Sequence, residues 1–164
     1  MIKRHCSVAL FILSIVKDMD GIHVSLNDHH VLIFRFEGHN RLNSDLMKTA
    51  FSRFEHDIAL DYTDDQKFPL LIDMPSMLSV SYGAARFTSS EAMIGRISAF
   101  AFVPHSTLQE HLVQQYEWYH NPPYPFRIFH SVEKAENWLS LFSNEFDSED
   151  PRQPVVMVRD HQEH

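Results

Sequence analysis

The run Phe68-Pro69-Leu70-Leu71-Ile72-Asp73-Met74 stays apolar on consecutive residues until Asp73. Successive side chains of a strand point to opposite sides, so such a strand is covered on both faces and sits inside a sheet with layers above and below it. Pro75 has no amide to give to a ladder and ends the strand. A polar turn and the start of a helix come next. Ser79 or Ser81 can cap a helix opening at Tyr82, where Gly83, Ala84 and Ala85 are small enough for close packing. Loops at the carboxyl edge of a central strand are where open α/β sheets hold ligands and partners. The segment from Met77 to Arg86, with Ser79, Ser81, Tyr82 and Arg86 as its polar groups, is therefore the candidate binding face.

The rest of the chain supplies the layers that this strand demands. Ile22, Val24 and Leu26 alternate with His23 and Ser25, and Val31 to Phe36 is β-branched and aromatic after Asn27-Asp28-His29-His30. This pattern predicts a hairpin whose first strand has one wetter face. Asn43 or Ser44 can cap a helix that buries Leu46, Met47, Ala50, Phe51 and Phe54, and the polar stretch Asp57 to Gln66 predicts a surface loop. Ser89 and Ser90 ahead of Glu91 predict a second cap. Ile97 to Val103 sets Ile97, Ala99, Ala101 and Val103 against Phe100 and Phe102, which predicts another central strand.

Ser106 with Gln109 three residues later has the form of a capping box, and the helix it starts carries Leu108, Leu112, Tyr116 and Tyr119 along one side. Pro122, Pro123 and Pro125 make a stiff turn into a short strand, Phe126 to Phe129. A last helix from Ser131 offers Ala135, Trp138, Leu139 and Phe142 to the core. Strands alternating with helices imply an α/β layer and leave few topologies open.

Composition narrows the function classes. With 44% hydrophobic and 22% charged residues over 164 positions the chain has material for one real core. Its 14 basic and 22 acidic residues leave a net charge of −8 with histidine neutral, which repels nucleic acid and anionic membrane surfaces. Cys6 is the only cysteine. No internal disulfide is open to the chain, nothing in it resembles a thiolate metal site, and a reducing cytoplasm suits it.

Three regions are expected. Residues 1–19 form an apolar extension, in which Lys3 and Arg4 precede the run Cys6 to Val16. That run has the charge and length of a signal-peptide core but is too short to span a bilayer, and no small-x-small cleavage site comes after it. An extra helix or strand, a signal-like segment and an upstream extension before a start at Met19 are all open. Residues 20–143 are the folded domain. Residues 144–164 are acidic and polar, with Pro151, Pro154 and few apolar residues, and are expected to be disordered or loosely docked.

Three stretches carry a resemblance. LLIDMPSMLSVSYGAARF, AFAFVPHS and NPPYPFRIFHSVEKAENWL are similar to the STAS-like, SpoIIAA-like superfamily from about Asp20 to Phe142. This superfamily is related to anti-sigma-factor antagonists and to the SEC14-like (CRAL-TRIO) lipid-binding fold. The asparagine, prolines, Arg-Ile-Phe strand and Ala-x-x-Trp-Leu helix of the last stretch recur together in a small bacterial subgroup of unassigned function. The resemblance implies a mixed sheet with an N-terminal β-hairpin and helices packed on the sheet. It also implies a non-enzymatic regulatory or protein-binding module, with a protein partner and a homodimer in view through unpaired hairpin edges. The alternative is a carrier of a small apolar ligand or lipid. In the antagonists a loop Asp-Ser-Ser-Gly is phosphorylated on the serine before glycine. Matched on Gly83, this chain reads Val80-Ser81-Tyr82-Gly83, so Tyr82 stands where that serine would. A phosphate on Ser79 or Ser81 would still meet a helix amino terminus, and simple capping is the other role for both serines.

Other chemistry has weaker support. The chain has 12 histidines, but Asp28-His29-His30 and the pair His161 and His164 lack the convergent partners of a closed metal site. Asp73 at its strand end is more suited to bonding loop groups than to acting as a general base. Arg86 can hold an anion or pair with Asp73. With 4 glycines the chain has no Gly-rich phosphate loop, and no nucleophile elbow or Cys-His arrangement is visible. No cofactor is implied.

Overall fold

The computed structural model describes residues 19–143. The expectations for residues 1–18 and for the tail 144–164 lie outside the described residues. The hairpin is present as β1 (Ile22–Leu26) and β2 (Leu32–Phe36), paired antiparallel. Asn27 sets its turn, because Asn27 Oδ1 accepts from the amides of His29 and Val31. Next come β3 (Arg41–Leu42) and α1 (Ser44–Arg53), which Asn43 caps by accepting from the Leu46 amide at 2.9 Å. The helix does not stop there. A π-helical turn, Phe54–Ile58, and a 3-10 turn, Ala59–Asp61, prolong it into the segment expected to be loop. Burial explains the difference: Phe54 and Ala59 enter the core, and the Tyr62 ring stands edge-on to Phe68 at 5.1 Å.

The central strand is β4 (Phe68–Asp73), buried at every position. It leads through β5 (Ser79–Val80) to α2 (Tyr82–Thr88) and α3 (Glu91–Arg96), the second capped by Ser90. The remaining elements are β6 (Ile97–Val103), α4 (Thr107–His120), β7 (Phe126–Ile128) and α5 (Val132–Ser143). The main sheet has the order β1-β2-β4-β6-β7, parallel except for the hairpin. Two-residue strands β3 and β5 form a separate parallel pair that no sequence pattern announced.

This order determines where the helices go. Each crossover from β2 onward steps the same way across the sheet, and right-handed crossovers that do so place their helices on one face. On that face Leu32, Phe34, Phe36, Leu70, Ile72, Phe100 and Phe102 pack with α1, α2, α3 and α4. The other face belongs to α5, whose Ala135 and Leu139 lie on Val31, Leu71, Ala99, Ala101 and Val103. The split of β6 into small and aromatic sets is thus a split between a thin layer and a thick one. A mixed sheet led by a hairpin and covered by helices is the architecture the SpoIIAA-like resemblance implied. Among the described residues no helix is long and apolar enough to cross a membrane.

The inward face of α4 is not the expected one. Gln109 and Val113 are its buried residues, Leu112 and Tyr116 are partly buried, and Leu108 and Tyr119 are 49% and 76% exposed. The helix is rotated because a polar residue, Gln109, has the backbone partners that reward burial.

Candidate functional site

Where β4 ends, Asp73 is buried, and its two carboxylate oxygens are both engaged. Asp73 Oδ2 accepts from Arg35 Nη1 at 3.1 Å and Oδ1 meets His105 Nε2 at 2.5 Å. Arg86 therefore does not pair with Asp73, as one sequence expectation had it; Arg35 on β2 and His105 after β6 hold that place. Arg35 also donates through Nε to Glu37 at 2.7 Å, and this bond holds the Glu37 carboxyl below its usual range. A general-base role for Asp73 would have to begin from this doubly bonded state.

The loop after Asp73 is fastened to α4 by one side chain. Gln109 Nε2 lies at 3.2, 3.0 and 3.0 Å from the carbonyls of Met74, Pro75 and Met77, and Gln109 Oε1 accepts from the His105 amide at 2.9 Å. The serine three residues earlier does cap the helix, since Ser106 Oγ accepts from the Gln109 amide. The reciprocal half of the expected capping box has moved one residue, from the cap amide to that of His105. The Ser-x-x-Gln spacing was the visible signal; the glutamine's reach across to another segment was not.

Beyond Met77 the chain joins the small sheet. Leu78 and Ser79 donate to the Asn40 carbonyl and Ser81 to that of Leu42, at 2.7, 3.2 and 2.8 Å. Ser79 is therefore a strand residue and not a cap. Ser81 is the cap of α2, its Oγ accepting from the Ala84 amide at 3.1 Å. The four candidate residues lie on one continuous segment, with Ser79 and Ser81 half-buried and Tyr82 and Arg86 exposed.

Two open grooves flank α2. One, of about 560 Å³, lies between α2 and α4 and includes Ser81, Tyr82, Leu112, Tyr116 and Tyr119. The other, of about 640 Å³, lies towards α1 and includes Lys48, Arg86 and Glu91. Between α2, α4 and the sheet an apolar cleft holds only about 30 Å³, space for a water molecule or two. Around it the tyrosines are fixed. Tyr116 and Thr88 share a hydroxyl contact of 2.6 Å, and the Tyr124 hydroxyl donates to the Thr88 carbonyl at 2.7 Å. Burial pushes both phenols above their ordinary range, so both stay neutral. Among the described residues no three histidine, cysteine or acidic side chains converge as metal ligands would.

No curated protein matches the chain. A crystal structure of an uncharacterized protein from Shewanella loihica PV-4, described as a DUF3478-family protein with a SpoIIAA-like fold, is similar at 17% identity and a TM-score of 0.45. The match covers 73% of this chain and 94% of that one. The family described as a domain of unknown function (DUF7793) matches residues 26–143, and the chain belongs to that family.

Proposed function

We propose that this chain is a non-enzymatic regulatory module that docks a protein partner through the face from Leu78 to Arg86. One observation carries the reading. Leu78 and Tyr82, 60% and 71% exposed, are large apolar groups held outward by a frame that Gln109, β3 and the Ser81 cap keep in place. Apolar side chains presented on a rigid support gain from desolvation when a partner covers them, and little ordering entropy opposes that gain. The rival lipid-carrier reading requires an enclosed apolar pocket, and the apolar cleft here is about 30 Å³ against the roughly 300–1,000 Å³ of ordinary ligand sites. A cytoplasmic setting belongs to the same proposal and rests on the single cysteine.

The test places a photo-crosslinking residue at Tyr82 in cells and, as control, at exposed Lys134 on α5. The protein captured only from Tyr82 is identified, purified and titrated against the native chain, Leu78→Ser and Tyr82→Ala. Each substitution is expected to weaken binding roughly tenfold or more, as for a residue at the centre of an interface. Equal capture at both positions, or binding indifferent to both substitutions, overturns the docking reading. Turnover in a hydrolase and transferase screen that Asp73→Asn abolishes overturns the non-enzymatic one.

A further inference from the structure

We propose that the groove between α2 and α4 receives an extended, proline-bearing segment of the partner protein. The inference rests on the docking reading above and narrows it to the partner's chemistry. Aromatic rings bridge the groove from one helix to the other. The Tyr82 ring lies 5.8 Å from that of His120, and His120 stacks on Tyr116 at 5.4 Å and 24°. Tyr119 adds a fourth ring. The hydroxyl of Tyr116 is taken by Thr88, which fixes that ring.

Among the described residues no Asp, Glu, Lys or Arg lines this groove. It carries no fixed charge and is complementary to a neutral occupant. Among the described residues no hydrogen bond occupies the side chains of Tyr82, Gln115 or Tyr119, so the groove also presents unused donors. A helical ligand has already bonded its own carbonyls and leaves such donors unmatched. A polyproline II segment is the opposite case: it makes no internal hydrogen bonds, its carbonyls point outward, and its rings pack on aromatic faces with little entropy to lose.

The test titrates deca-L-proline into the ¹⁵N-labelled full chain and tracks amide shifts. Saturable shifts confined to Val80–Ala85 and Leu112–His120 are expected, together with none from a glycine-serine decapeptide. Tyr82→Ala and Tyr119→Ala should each weaken the titration roughly tenfold; both side chains are more than 70% exposed, so the fold survives their loss. No shift at millimolar peptide, equal shifts from the glycine-serine control, or preference for an amphipathic helical peptide at the same amides overturns the inference. In that event a partner still lost on Leu78→Ser leaves the docking reading intact, so the two fail separately.

Discussion

Replacing Gln109 should cost more than replacing any other single polar side chain near the docking face. Its amide group has two hydrogens for three carbonyls, and its oxygen takes one amide, so about three full hydrogen bonds are made. At roughly 1 kcal/mol net for each, the sum is about 3 kcal/mol. Gln109→Leu keeps the bulk and removes all three. Of the carbonyls left behind, Met74 retains a bond from the Met77 amide and water can reach the partly exposed Pro75, but the buried Met77 carbonyl loses its donor, which adds about 1–3 kcal/mol to that figure. Gln109→Glu is the sharper perturbation, because it turns an acceptor towards carbonyls that need a donor, and it should cost at least as much at neutral pH. Against a total stability of about 5–15 kcal/mol, either change is large. Urea unfolding monitored by circular dichroism measures it, with hydrogen exchange at Leu78, Ser79 and Ser81 reporting whether the loop loosens before the sheet does. A loss below about 0.5 kcal/mol for Gln109→Leu, or a glutamate tolerated as well as the native residue, would refute the idea that this side chain sets the frame.

Three further outcomes concern other parts of the chain. Arg96 is buried, donates to the Thr63 and Gln66 carbonyls at 2.9 and 3.2 Å, and lies over the Phe54 and Phe68 rings; Arg96→Met should lose about 1–3 kcal/mol and make the segment from 57 to 66 the first point of limited proteolysis. Asp20 is held below its usual 3.8 by its bond from Arg53. Its folded pKa is depressed, so the contribution is present above about pH 4 and disappears as acid carries the pH down through the folded value; Asp20→Asn should flatten that acid limb of an unfolding series. The effect should stay within about 1 kcal/mol, since the carboxylate is well exposed. Gly21 and Gly38 share a left-handed backbone, φ 73° and 74°, but a Cβ on Gly21 would meet the Glu37 carbonyl oxygen at 2.1 Å while one on Gly38 meets nothing. Gly38→Ala should therefore cost about 1–2 kcal/mol for the backbone alone, and Gly21→Ala distinctly more, as urea unfolding of the two variants would measure.

How much of this was legible in sequence depends on whether a residue's partners are near it in the chain. The buried β4, the hairpin, the aromatic and small sides of β6 and the cap at Ser106 come from local pattern, because each is settled within a turn or a strand; at the other helix starts the pattern left Asn43 or Ser44, Ser79 or Ser81, and Ser89 with Ser90, of which the structure uses Asn43, Ser81 and Ser90. The Arg35–Asp73–His105 group is not, since it joins the ends of three strands that no spacing relates. The same holds for β3 with β5, and for the loop from Thr63 to Gln66 whose carbonyls Arg96 holds from 30 to 33 residues away. The rotation of α4 is the instructive case. Hydrophobic periodicity put Leu108, Leu112, Tyr116 and Tyr119 along one side of the helix, and by transfer energy alone that side would be the one turned to the core. It fails because Gln109 finds carbonyls 32 to 35 residues back along the chain, and a buried amide with its bonds complete can share the inward face with Val113. Turning Gln109 inward turns Leu108 and Tyr119 out and puts Tyr119 with Tyr82 in the lining of the groove. Leu112 and Tyr116 stay packed against the core; on the docking reading proposed above, Tyr119 is the residue that this rotation opens to a partner in the groove, and the bond set that turned it out also steadies the loop beside it.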